Sequence, residues 1–109
     1  VERWESILQV LDEVSSGSGT LAQAIVQQNE GNLGTSGLDA ERYVLVRFAA
    51  LVAIDAPLES YAAVIEMAAE AGVTAEQAAG VLIALAPVVG GPRVTSAAGK
   101  VQQAFAAML

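Results

Sequence analysis

Three residues close together in the chain, Asp55, Glu59 and Tyr61, are of types that could do chemistry. A carboxylate whose pKa is raised by burial can act as a general acid or base, and a tyrosine can orient a substrate or donate a proton. The same residues have a plainer explanation. Asp55 and Glu59 flank a helix start, where negative charge is favourable by about 0.3–1 kcal/mol. Tyr61 falls on an apolar face, as a core residue would. A second group is Gly90-Gly91-Pro92-Arg93. Free N–H groups at a helix start, with an arginine beside them, can hold a carboxylate or phosphate. Its plainer explanation is a turn whose arginine pairs with an acidic neighbour, and no phosphate-loop motif accompanies it. Arg47, on a helix face with Tyr43, Leu51 and Ile54, either meets a buried carboxylate or runs its stem along apolar surface to solvent. Asp55, Glu59, Glu66, Glu70 and Glu76 could hold a hard cation only by converging from several elements. Glu59, Glu66 and Glu70 repeat at helical spacing instead, as a solvated face does, so neither a metal nor another cofactor is expected.

The missing residue types constrain the chemistry further. The 109 residues contain no cysteine and no histidine. Thiol redox chemistry, cysteine nucleophiles, Ser-His-Asp triads and imidazole metal sites are thereby excluded. A net charge of −7 argues against nucleic acid, which needs a positive face, and against anionic membrane surfaces. No signal peptide is evident, and the longest uncharged stretch, Val81 to Pro92 and slightly upstream, is too short and too broken by proline and glycine to span a bilayer. A cytoplasmic location is expected.

These candidates must be positioned by helices. About a fifth of the residues are alanine, which loses almost no side-chain entropy in a helix. Period-two alternation of β-branched and aromatic residues is nearly absent. Trp4, Ile7, Leu8, Leu11 and Val14 mark one face of a first helix over 2–14, and a break follows at Ser15 to Gly19. A second helix is expected over 20–29, then a flexible loop from Gly31 to Gly37. Asp39 caps a third helix reaching about Asp55, with Leu38 stapled onto Tyr43. Pro57 fits the first position of a fourth, on which Leu58, Tyr61, Ile65 and Ala68 share a face, and Gly72 fits just past its end. Thr74 to Gln77 has the form of a capping box for a fifth helix, running to about Val89 with Pro87 kinking or ending it. That helix is apolar all round, so burial on every side is expected. Pro92 starts a sixth, with Val94, Ala97, Val101, Phe105 and Met108 as its buried stripe.

One helical domain over 1–109 follows, with its core over about 39–109. Apolar residues make up 54% of the chain, which fits either a tightly packed alanine core or surface buried between subunits. The fifth helix favours subunits.

From Arg47 to Phe105 three features stand in a familiar order: an apolar helix leading into a helix start (Arg47 to Ser60), then Ala68-Ala69-Glu70-Ala71-Gly72-Val73-Thr74, then Leu85 to Pro92 followed by an alanine-rich helix with Ala97 and Ala98. In register, these resemble the carboxymuconolactone decarboxylase and alkylhydroperoxidase D-like family. The resemblance implies an all-α antiparallel bundle of about six helices and assembly as homo-oligomers, commonly trimers or hexamers. It also implies one of two chemistries. One is peroxide reduction by a CxxC pair with a histidine and a glutamate. The other is muconolactone decarboxylation and isomerisation, usually with a histidine in the same helix. Counting back from Gly72, the paired cysteines fall on Pro57 and Ser60 and the histidine on Val64. The glutamate falls near Leu45, with only Glu41 in the neighbourhood. All four positions are vacant. The expectation is a non-redox binding or structural protein that associates with itself, with a small-molecule ligand left open. The alternative is a lactone decarboxylase or isomerase using Asp55, Glu59 and Tyr61 in place of cysteine and histidine; Arg93 is a separate candidate for ligand binding.

Overall fold

The computed structural model describes residues 2–16 and 19–108. Six helices follow in order: α1 (Glu2–Ser16), α2 (Gly19–Ser36), α3 (Ala40–Ala53), α4 (Leu58–Ala71), α5 (Ala75–Val89) and α6 (Gly91–Met108). No strand occurs among the described residues, and none of the helices is long and apolar enough to cross a membrane. The chain divides into two compact units, residues 1–38 and 39–109.

In the first unit α1 packs along α2. Trp4, Leu8 and Leu11 remain exposed, as do the neighbouring Val10 and Ile25. The second helix continues seven residues past the expected end at Asn29, through the stretch expected to be a loop. Isolated glycines such as Gly31 and Gly34 weaken a helix by about 1 kcal/mol each without forbidding it. Thr35 and Ser36 turn their hydroxyls onto the Gly31 and Leu33 carbonyls, at 3.1 and 2.7 Å. The chain leaves the helix at Gly37, where φ is +72°. Gly17 and Ser18, expected to break the chain, lie outside the described residues, as do the side chains of Val14 and Met108.

The second unit is a four-helix bundle. α3 packs on α4 and α5, and α6 packs on α4, α5 and α3. Gln77 donates to Glu41, tying the start of α5 to that of α3, and Arg93, just past the end of α5, donates to the Ala53 carbonyl at the end of α3, so these two packed helices run in the same direction. Val44, Phe48, Val52, Ala56, Tyr61, Val64 and Ala97 form the core, bordered by Leu51, Met67, Val81, Leu82, Leu85 and Val101.

Local chemistry sets most of the helix ends. Asp39 accepts from the Arg42 N–H at 2.8 Å. Thr74 and Gln77 satisfy each other's backbone in a complete capping box. Gly72, at φ +76°, lets the Val73 N–H reach the Ala68 carbonyl at 2.9 Å.

Several expectations about faces need correction. Leu38 and Leu58 are exposed, and Val64 joins Tyr61 as a buried residue of α4. Ile54 is exposed because α3 has already ended at Ala53. On α6 the buried positions are Ala97 and Ala104, not Phe105: alanines let α6 lie close to α4, and Phe105 is turned to solvent. Pro57 is the residue capping α4 rather than its first helical residue. Pro87 neither stops nor ends α5, which runs two residues further to Val89; a proline in the last turn forfeits only one helical hydrogen bond. No residue of α5 is fully buried within the chain, and Ile83 and Val88 stay 74% and 80% exposed.

The turn between α4 and α5 yields a direct test. A methyl added at Gly72 meets no atom within 4 Å, so Gly72→Ala isolates the left-handed backbone cost and should lower stability by about 1 kcal/mol. Thr74→Ala, which removes the cap, should cost about 1 kcal/mol as well. Urea midpoints at unchanged slope measure both; an unmoved midpoint in either variant contradicts the assignment of that helix end.

Candidate functional site at the α3–α4 corner

The corner begins where α3 runs out of partners for its last carbonyls. Ile54 donates to Ala50 at 3.1 Å, Asp55 to Val52 at 3.2 Å and Ala56 to Leu51 at 3.0 Å. The crossed bonds from Asp55 and Ala56 form the closing motif that usually places glycine in the left-handed position. Here that position holds Asp55, at φ +51°, and no other described non-glycine residue has positive φ. Aspartate tolerates this conformation better than most side chains.

Three residues of α6 hold the corner in place. Ser96 Oγ donates to Asp55 Oδ1 at 2.7 Å, and Lys100 Nζ donates to the same oxygen at 3.0 Å. Lys100 also reaches the Ala56 carbonyl at 2.7 Å, and Arg93 donates to the Ala53 carbonyl. Positions 93, 96 and 100 lie on one helix face. Two cations thus sit at the C-terminal end of α3, where the free carbonyls favour positive charge. The hydrogen bond from Ser96, followed by that from Lys100, holds the Asp55 carboxyl below its ordinary value. Asp55 is therefore ionised and occupied near neutral pH, the opposite of what a general acid needs.

Tyr61 enters the corner from the first turn of α4. Its side chain is fully buried, with its ring edge-on to Phe48 at a centroid distance of 6.1 Å. Among the described residues its hydroxyl has no hydrogen-bond partner. Burial, and secondarily the negative charge of Asp55, pushes its pKa up, so it stays a neutral donor. Glu59 is exposed in the same turn and makes no hydrogen bond or ion pair among the described residues. Of the three candidate acid–base residues, the fold brings Asp55 and Tyr61 to one corner and leaves Glu59 outside.

The positions counted from the family resemblance line the start of α4. Pro57 is exposed and contributes no side-chain cap. Ser60 is half-buried, and its N–H returns to the Pro57 carbonyl at 3.1 Å. Val64 belongs to the core. Arg93 spends a guanidinium N–H on a helix-end carbonyl rather than on an acidic side chain. Arg47 finds a tyrosine instead of a carboxylate: it donates to the Tyr43 hydroxyl at 3.0 Å and lies 5.3 Å from that ring's centroid, with Nε buried and without a partner among the described residues. Among the described residues no three carboxylates gather as a metal site would require.

Ser96 and Lys100 escaped the sequence reading. A signal existed: Arg93, Ser96 and Lys100 form a polar stripe beside the apolar positions of α6. Its target could not be inferred, because the acceptors are two backbone carbonyls and a carboxylate some forty residues away.

A model of the carboxymuconolactone decarboxylase family matches residues 20–103. No curated protein and no solved structure matches the chain.

Two variants test the corner. Asp55→Asn keeps a side chain that accepts left-handed geometry and removes the charge. Because the folded pKa lies below the ordinary 3.8, the contribution of Asp55 is present above about pH 4 and lost as pH falls through the folded value. The variant should be less stable than the parent at pH 7 and converge with it in acid; a constant difference across that range contradicts the clamp. Tyr61→Phe removes a buried hydroxyl without a partner, so stability should hold or rise by about 1 kcal/mol. The parent should lose stability as pH climbs past 10, where unfolded tyrosine ionises and Tyr61 does not. The variant should lack that slope. A loss above about 1 kcal/mol would show that the hydroxyl has a partner in solution.

Proposed function

The chain belongs to the carboxymuconolactone decarboxylase family, and from that premise we propose that it is a non-redox member, a homo-oligomer with a binding or structural role. The observation that carries this reading is the emptiness of the family's chemical positions. The chain holds no cysteine or histidine, and Pro57, Ser60 and Val64 stand where the resemblance places the thiols and the imidazole. A helix start can stabilise a thiolate; here the helix start persists without a thiol. Val64 occupies core space where the imidazole would stand. The acid balance speaks for a protein partner over nucleic acid or an anionic membrane, and we place the protein in the cytoplasm. A trimer or hexamer is the assembly the resemblance favours.

One observation favours a second reading, a lactone decarboxylase or isomerase. Tyr61 carries a buried, unpartnered hydroxyl beside a carboxylate, which could donate to a substrate oxygen. It ranks second because Asp55 is already bound by Ser96 and Lys100, and Glu59 faces solvent.

Native mass spectrometry of gently purified protein, paired with a hydroperoxide-consumption assay, tests the proposal. The expected result is an assembly of several copies that consumes no peroxide above a protein-free blank. Peroxide turnover overturns the non-redox reading, and a stable monomer overturns the oligomeric one. A co-purifying metabolite that Tyr61→Phe no longer retains would move the enzyme reading to first place.

A further inference from the structure

We infer that α5 is the surface through which two copies of the chain recognise each other, packed antiparallel about a two-fold axis near Ala84. This rests on the homo-oligomeric reading above and specifies its contact. One side of α5 is committed to the bundle through Val81, Leu82 and Leu85. The opposite side presents Ala79, Gly80, Ile83, Ala84, Pro87 and Val88 to solvent, an unbroken apolar stripe at helical spacing. Ile83 and Val88 are the most exposed large apolar residues described in the molecule.

Charge identifies a second copy as the occupant. Two chains of net charge −7 repel wherever their carboxylates are brought face to face. The sixteen residues from Gln77 to Pro92 carry no charge, so here the copies can approach without opposing carboxylates. Opposite charges bound the stretch. Glu76 stands at the end where α3 and α5 begin. Arg93 stands at the end where α3 finishes, against the Ala53 carbonyl. Asp55, also at that end, is already paired with Lys100. Antiparallel pairing brings the Glu76 end of each copy to the end of the partner's α5 that Arg93 follows, twice by symmetry. Parallel pairing would set Glu76 against Glu76.

Shape supports the same arrangement. A two-fold contact must be complementary to itself. Pairing about Ala84 places Val88 opposite the partner's Gly80, where even an added methyl would meet nothing within 4 Å. The bulkiest exposed end of the stripe thus faces its emptiest, and the small Ala84 at the axis lets the helices approach. Such a contact builds dimers and even-numbered assemblies made from them. Of the assemblies the resemblance favours, it admits the hexamer and not a lone trimer.

The absence of cysteine makes the test clean, because one introduced thiol reports alone. Ala84→Cys, close to its own symmetry mate, should oxidise to a covalent dimer at dilute concentration; Glu66→Cys, on the exposed face of α4, should not. Ile83→Lys/Val88→Lys puts like charges on both sides of the axis and should abolish the dimer in native mass spectrometry. Helix content by circular dichroism should not change, since both side chains face solvent. An odd-numbered parent assembly overturns this interface and leaves the oligomeric reading standing. So does an assembly that survives the double substitution while Ala84→Cys stays unlinked. A monomeric parent overturns both.

Discussion

One carboxylate oxygen, Asp55 Oδ1, joins α6 to the connection between α3 and α4. The connection is short, and its sharpness comes from a left-handed residue that is not glycine. Aspartate at that point does what glycine cannot: it ends α3 and also offers a handle. Ser96 and Lys100 take the handle, while Lys100 and Arg93 satisfy backbone carbonyls left over at the corner. With the corner fixed, Ala97 and Ala104 can sit closed against the bundle. Small residues supply close packing but little directional information, and the polar clamp supplies the register they lack.

The same clamp decides what the corner can do chemically. A carboxylate serves proton transfer when its environment makes the proton worth holding, and Asp55 is in the contrary situation. What remains unassigned is the Tyr61 hydroxyl, a neutral donor in apolar surroundings. Belonging to a family of known chemistry fixes a scaffold and the places where reactive groups would stand. Counted from the resemblance, those places fall on a proline, a serine and a core valine.

How much could be read from the sequence followed the locality of each interaction. The caps at Asp39, Gly72 and Thr74 were readable because each is complete within four or five residues. Six helices were readable from periodicity and from the breaks between them. The extent of α2 was not, since glycine and asparagine signal a break through propensity alone, and a helix with a packing partner absorbs that cost. Leu58, Ile54 and Phe105 misled for another reason. Hydrophobicity says that a residue prefers burial, not which side of a helix lies against a neighbour, and near helix ends and on alanine-rich helices the geometry decides. At the candidate site, Asp55 and Tyr61 could be named in advance. Ser96 and Lys100 could not, because only the folded chain brings residue 55 to residues 96 and 100.

The distribution of aromatic residues has an optical consequence. The sole tryptophan, Trp4, lies in the first unit and is largely exposed, while both tyrosines lie in the second, buried on α3 and α4. Selective excitation of the indole therefore reports on the α1–α2 hairpin, and near-ultraviolet dichroism of the phenols reports on the four-helix bundle. The native chain carries a separate spectroscopic label in each unit. Melting curves recorded through the two chromophores would reveal whether the units unfold in one cooperative step or in succession.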